Sequence, residues 1–182
     1  MTSLVAPRPI AWISTLNASG RVNLAPFSFY NIVSTRPPAV MFSCSGPKDT
    51  AHNVRSSGEF VVNVPSYAMR DEMMATSQEV AADVSEAELA GVEMVPSVAV
   101  RPPRVKNGSV ALECRHLQTV ELEGAPGGEG NTVVFGRVVG VFIDDVLLVD
   151  GYVRWPDGQL IYRLGYLNYG VVENSFAMGR PK

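Results

Sequence analysis

The chain has 182 residues, 46% of them hydrophobic and 18% charged, with a formal net charge of −3. That length suits a single domain, spanning 1–182, whose core needs no staples, and the composition excludes a disordered chain. The acidic balance, without any Lys/Arg cluster, argues against a nucleic-acid partner, which requires a basic stripe to neutralise phosphates.

The first nine residues, Met-Thr-Ser-Leu-Val-Ala-Pro-Arg-Pro, lack the basic and uninterrupted apolar regions of a signal peptide. Residues 10–16 are a β-branched and aromatic run, closed by an Asn-Ala-Ser-Gly turn signal, and 22–26 follow at once, so the two predict a hairpin. Residues 39–44, after Pro37 and Pro38, read as the next strand. A helix is predicted over 50–57, with Asp49 or Thr50 as its N-cap and Gly58 where a left-handed C-terminal residue is wanted. Residues 59–64 form a further strand, which Pro65 stops.

Residues 71–77 and 81–90 are short, acidic, Met- and Ala-rich helical pieces. The acidic stretch 78–93 reads as a solvated helix over the barrel, with Met69, Met73 and Met74 packing beneath it. Long strand-like runs follow over 110–122 and 132–143 around a Gly/Pro turn at 124–130. Shorter ones follow at 146–149 and 159–162, the second after a Trp-Pro-Asp-Gly turn. The longest apolar stretch, 132–149, contains Arg137, Asp144 and Asp145 and cannot span a bilayer as one helix, so no membrane partner is expected. Cys44 and Cys114 each sit inside a strand-like run; they read as small core hydrophobes, with one disulfide between them as the alternative, and a cytoplasmic location is the default. Many short strands with one helical insertion indicate an antiparallel barrel with a helix beside it.

No phosphate loop of the Walker type, no Gly-x-Gly-x-x-Gly and no Gly-x-Ser-x-Gly elbow occurs. His52 and His116 stand far apart without ligand spacing, so no metal site is expected. His52 reads as a partly exposed helix residue, and His116 as lying on the solvent face or at a subunit contact. Redox work would therefore need a bound cofactor.

Three constellations bear on such a cofactor. Residues 7–15, Pro-Arg-Pro-Ile-Ala-Trp-Ile-Ser-Thr, end a hydrophobic strand on the hydroxyls of Ser14 and Thr15. In 23–31, Pro26 removes a strand donor, so regular pairing lapses where aromatic neighbours could border a planar ligand. In 43–50, a Gly-Pro loop leads from Ser43 through Lys48, Asp49 and Thr50 into the helix that carries Asn53. Free amides, a hydroxyl and a positive charge there are offered to an anion. Taken singly, each is equally a strand end, a barrel corner or ordinary capping chemistry.

In order, these segments resemble the flavin-reductase-like family of FMN-binding split barrels, and its flavoredoxin-type branch in particular. The match runs through 7–15, 20–31, 33–44, 48–64, 111–114, 131–141 and 162–169. Lys-Asp-Thr-Ala-His-Asn followed by Glu-Phe-Val-Val-Asn-Val is its most specific part, and the tail Arg-Leu-Gly-Tyr-Leu-Asn-Tyr the next. The resemblance implies a mainly β, six-stranded antiparallel Greek-key split barrel with a short helical insertion, dimerised with FMN at the subunit interface.

It also implies that the isoalloxazine lies along Ala25, Pro26, Phe27, Ser28 and Phe29. The phosphate would lie near the loop from Ser43 to Lys48, Asp49 and Thr50, with Asn53 beyond it. Ser14 and Thr15 would close the pocket, Arg8 is a further phosphate partner, and Arg163 and Tyr169 complete the site, from the same or the second subunit. The implied activity is a flavin-dependent oxidoreductase of the NAD(P)H:flavin reductase type, passing electrons to a free flavin or a redox-protein acceptor. Many members carry Gly-Asp-His before the late strand, where the histidine is associated with the nicotinamide. Here Asn131 stands at that place, so an FMN electron carrier reduced by a protein partner is the alternative. Relatives also have residues before the Pro-Arg-Pro segment, so an N-terminal element is missing here or the start is assigned late.

Overall fold

The computed structural model describes residues 1–179. The chain runs through β1 (Arg8–Pro9), β2 (Ala11–Leu16), β3 (Val22–Phe27), β4 (Tyr30–Thr35), β5 (Pro38–Ser45), α1 (Asp49–Ser57) and β6 (Glu59–Val64). The helical insertion holds α2 (Arg70–Ala75) and α3 (Glu86–Leu89), followed by the short strands β7 (Met94–Val95) and β8 (Arg104–Val105). Two long strands, β9 (Val110–Leu122) and β10 (Asn131–Ile143), precede β11 (Leu148–Val149), β12 (Tyr152–Val153), β13 (Ile161–Arg163) and β14 (Tyr169–Val171).

Seven strands form one antiparallel sheet in the order β3-β2-β6-β9-β10-β5-β4. Its two edges, β3 and β4, are consecutive in the chain, separated only by Ser28 and Phe29. The sheet therefore curls until its edges meet, and because β3 and β4 are not paired to each other the barrel stays split there.

β2 shows why this sequence needs both faces of the sheet covered. Ala11 and Ile13 point into the barrel with Phe42, Phe60, Val62, Cys114 and Val134, while Ile10 and Trp12 point outward against Leu24, Met73, Ala87, Val105 and Ile161. A run that is apolar at every position, not at alternate ones, is the mark of a strand buried on both sides. The helical insertion supplies the outer cover, and Trp12 pins it by donating its indole N–H to Thr76 Oγ1 at 2.8 Å. α1 closes one end of the barrel with Ala51 and Val54, and Gly58 ends it at φ 75°, donating its N–H to Val54. Cys44 and Cys114 are free and buried in the inner cluster, and burial pushes both thiols up, so they pack as small hydrophobes.

The sheet has seven strands where six were expected. The extra one, β4, is an edge strand whose apolar side chains face solvent, Ile32 at 58% and Val33 at 48% exposure, so it has no alternating pattern to betray it. Residues 71–77 form the slightly earlier α2, but the expected helix over 81–90 contracts to the four residues of α3. Two of those four, Glu86 and Ala87, are buried, which a solvated helix would not do. The N-cap of α1 is Lys48, not Asp49 or Thr50: its backbone is extended at φ −124°, ψ 139°, and no side chain caps the helix. His52 is exposed on α1, and His116 is half-buried with a 2.8 Å bond to Thr119 Oγ1. Among the described residues no helix is long and apolar enough to cross a membrane, and no His/Cys/Asp/Glu group could hold a metal.

The inner core leaves no slack beside Gly136 of β10. A Cβ there would lie 2.3 Å from Phe60, whose ring is fully buried and packed edge-on to Phe42 at 5.5 Å. Gly136→Ala is therefore expected to lower stability by roughly 1–3 kcal/mol through overpacking, measured by chemical denaturation with the slope unchanged.

Candidate functional site

A cleft of about 470 Å³ opens beside the split. One wall is the edge strand β3, with Asn23, Ala25, Pro26 and Phe27. Pro26 can sit there because an edge strand tolerates a residue without an N–H, and it faces Trp12 across the hairpin. The opposite wall is the loop from β5 into α1, with Ser45, Pro47, Lys48, Asp49 and Thr50. The roof is residues 76–80, with Glu86 of α3 and Glu129 of the β9–β10 loop.

The start of α1 presents donors of the kind an anion accepts from. With Lys48 extended and no capping side chain, the first-turn amides have no side-chain acceptor. Thr50 is buried at 2% exposure and accepts a hydrogen bond from Asn23 Nδ2 at 2.9 Å, so its own hydroxyl proton is free to be donated. Lys48 brings the cleft's single ammonium, joined in this structure to Glu79, which raises its pKa and lowers that of Glu79. The remaining charged groups on the lining are the carboxylates of Asp49, Glu86 and Glu129. Glu129 lies directly over Gly46, where a Cβ would come within 2.3 Å of its carboxylate; at φ 66° that position also favours glycine. Glu86 is buried, and the loss of water holds its carboxyl above the ordinary carboxylate range.

The structure brings Ala25, Pro26, Phe27, Lys48, Asp49 and Thr50 together on this cleft. It places the other expected site residues elsewhere. Thr15 and Asn53 do not line the cleft; Asn53 Nδ2 donates to Thr15 Oγ1 at 3.1 Å, and both are buried. Ser14 is fully buried on the outer face, donating to the Pro103 carbonyl at 2.6 Å and accepting from Asn63. These hydroxyls dock α1 and the β8 region onto the sheet, so none of them lines the cleft.

Ser43 accepts from Asn131 Nδ2 at 3.3 Å, and Asn131 itself carries only this amide, with Ser45 as its other partner. Ser28 and Phe29 occupy the β3–β4 connection, where the Phe29 ring lies 5.7 Å from the Arg8 guanidinium. Arg8 is buried and spends its terminal nitrogens on the carbonyls of Thr2, Val5 and Leu164. Arg163 stacks on Tyr169 at 4.2 Å, and Tyr169 lines a separate apolar cleft of about 350 Å³ with Tyr67, Met73, Met74 and Ile161.

Asn23, Thr76, Gln78, Glu79, Glu86 and Glu129 also line the cleft, and none of them is among the residues expected there from the sequence. Asn23 carried a usable signal, since a polar side chain opposite Thr15 in the hairpin faces the same way as that hydroxyl. The acidic residues carried none, because nothing in an acidic run says which carboxylate folds back onto the sheet.

Thr15→Val removes the acceptor of the buried Asn53 amide. It is expected to cost about 1–3 kcal/mol of stability and, because this bond helps hold the α1 start in place, to weaken ligand uptake by the cleft, read by thermal melts and ligand titration of the same sample.

Comparison with known proteins gives a consistent neighbourhood. The family model "Flavin reductase like domain" matches residues 2–158. An uncharacterized protein of Aquifex aeolicus is 36% identical over 168 residues, covering 89% of this chain and 83% of that one. YwrF of Bacillus subtilis is 33% identical over 187 residues, covering 100% and 91%. Among solved structures, nitrilotriacetate monooxygenase component B from Bacillus cereus superposes with a TM-score of 0.92 at 28% identity, covering 97% of this chain and 90% of that one. The Pseudomonas fluorescens 2-nitrobenzoate 2-nitroreductase NbaA gives 0.87 at 28% identity, covering 99% and 88%. Flavoredoxin of Desulfovibrio vulgaris shares the fold, with a TM-score of 0.83 at 20% identity over 98% and 96% of the chains.

Proposed function

Since this chain belongs to the flavin reductase-like family, we propose that its cleft holds FMN and that the protein is a flavin-dependent oxidoreductase of the NAD(P)H:flavin reductase type. The observation that carries this reading is the uncapped start of α1 on the cleft wall, with Lys48 and a donating Thr50 hydroxyl beside it. A phosphate suits that donor set, because amides at a helix start and an ammonium form charge-assisted bonds with it. Pro26 and Phe27 offer the apolar wall that a planar ring system requires. FMN, when bound, supplies the one- and two-electron chemistry. The chain's own contribution is to bind and orient: Lys48 exchanges Glu79 for the phosphate, Thr50 donates to it, and the roof over 76–80 limits water.

The electron-carrier reading keeps one specific observation in its favour. Asn131, at the position where the family resemblance expects a nicotinamide-associated histidine, has no titratable group and is held by Ser43 and Ser45. Normal FMN uptake with no NADH or NADPH oxidation, but reduction by a redox protein, would favour it. A dimer is part of the proposal as well: Arg163 and Tyr169 lie outside the cleft of their own chain, and a second copy would bring them to it.

The reading is tested by purifying the protein, recording flavin absorbance and titrating it with FMN, then following NADH and NADPH oxidation. Protein that neither carries nor takes up FMN would overturn it. Lys48→Ala is expected to weaken FMN binding by about 1–3 kcal/mol, and Thr50→Val to weaken it at nearly constant volume. Glu79→Gln, which frees Lys48, is expected to tighten FMN without changing the affinity for riboflavin. Fluorescence titration of the three variants with both flavins checks these outcomes.

A further inference from the structure

Glu86 opens α3, and its side chain reaches back to the sheet, where Oε2 accepts the Leu24 amide of edge strand β3 at 3.2 Å. It is 8% exposed, it lines the cleft, and no cationic side chain pairs with it among the described residues. The other charged groups on that cleft are Lys48 and Asp49 at the start of α1, Glu79 on the 76–80 segment and Glu129 on the β9–β10 loop. Lys48 is already matched by Glu79. The elements packed around Glu86 otherwise present neutral groups: Asn23 and Leu24 of β3, Thr50 of α1, and the outer core around Trp12 and Met73.

A flavin phosphate carries about −1.5 to −2 charge near neutrality, and it would enter a lining of four carboxylates and one ammonium. Of those carboxylates, a buried one without a cation is the costliest to keep ionised beside a new anion. Resting on the flavin reading above, we propose that Glu86 takes up a proton as the phosphate binds, so that this carboxyl balances the charge that a second basic residue would otherwise have to meet. Protonated, it still accepts from Leu24 through one oxygen and gains a hydroxyl donor on the other. Burial, reinforced by Asp49, already holds the carboxyl above its ordinary range before any ligand arrives.

The sign follows from linkage. Proton uptake on binding makes FMN affinity fall as pH rises between the free and the bound carboxyl's ranges, by up to about tenfold per pH unit. A lysine site that simply preferred the dianion would do the opposite, gaining affinity as pH rises through the phosphate's second pKa of about 6.

The test is isothermal titration calorimetry of the full chain with FMN in two buffers of different ionisation enthalpy. It is run at about pH 7.5 to 8, above the phosphate's own pKa, with riboflavin as the phosphate-free ligand. Expected are net proton uptake with FMN, none with riboflavin, loss of the uptake in Glu86→Gln and its retention in Glu86→Asp. FMN binding without uptake, with proton release, or with equal uptake in a folded Glu86→Gln variant overturns this inference alone. No FMN binding at all overturns the flavin reading and this inference with it.

Discussion

Two buried side-chain amides set the position of everything that matters at the cleft. Asn23 on β3 and Asn53 on α1 hold the helix start against the β2–β3 hairpin, each through a threonine hydroxyl on the opposite element, at 2.9 and 3.1 Å. Both amides are almost wholly buried, so either bond, once lost, leaves a polar group without water to take its place. The pairing is reciprocal: strand amide to helix hydroxyl, helix amide to strand hydroxyl. It fixes where the uncapped turn of α1 lies relative to Pro26 and Phe27, and therefore the spacing between the helix start and an apolar wall.

A second layer covers this arrangement from outside. Trp12, Leu24, Met73 and Ala87 form a core of their own beyond the sheet, and through it the helical insertion is held close enough for Glu79 and Glu86 to reach the cleft. Glu86 also answers a topological need. An edge strand beside a split barrel carries unpaired amides, and a carboxylate taking one of them protects the edge while placing a titratable group on the cleft. Edge protection and cleft lining thus fall to the same residue.

The architecture was largely legible because strands buried on both faces, such as β2 and β6, write continuous apolar runs, and because turn chemistry at 17–20 and 124–130 separates them. The edge strand β4 was not legible, since its exposed Ile32 and Val33 mimic a loop between two turn signals. At the site, Lys48 and Thr50 were readable from the strand–Gly-Pro–helix order. Ser14, Thr15 and Asn53 show the limit of that reading: a hydroxyl at a strand end serves a ligand or a neighbouring amide equally well, and only the packing of α1 decides between them. The resemblance implies Arg8 as a phosphate partner; in the structure its terminal nitrogens bond three backbone carbonyls, one of them from distant Leu164, a demand that no local pattern records.

The start of α1 with Lys48 and Thr50 is proposed to receive the phosphate of a bound flavin. The most direct measurement compares the affinities of the purified protein for FMN and for riboflavin, which differ only in that phosphate. With the phosphate held there, FMN is expected to bind at least about tenfold tighter, equivalent to about 1.4 kcal/mol. Equal affinities would contradict it.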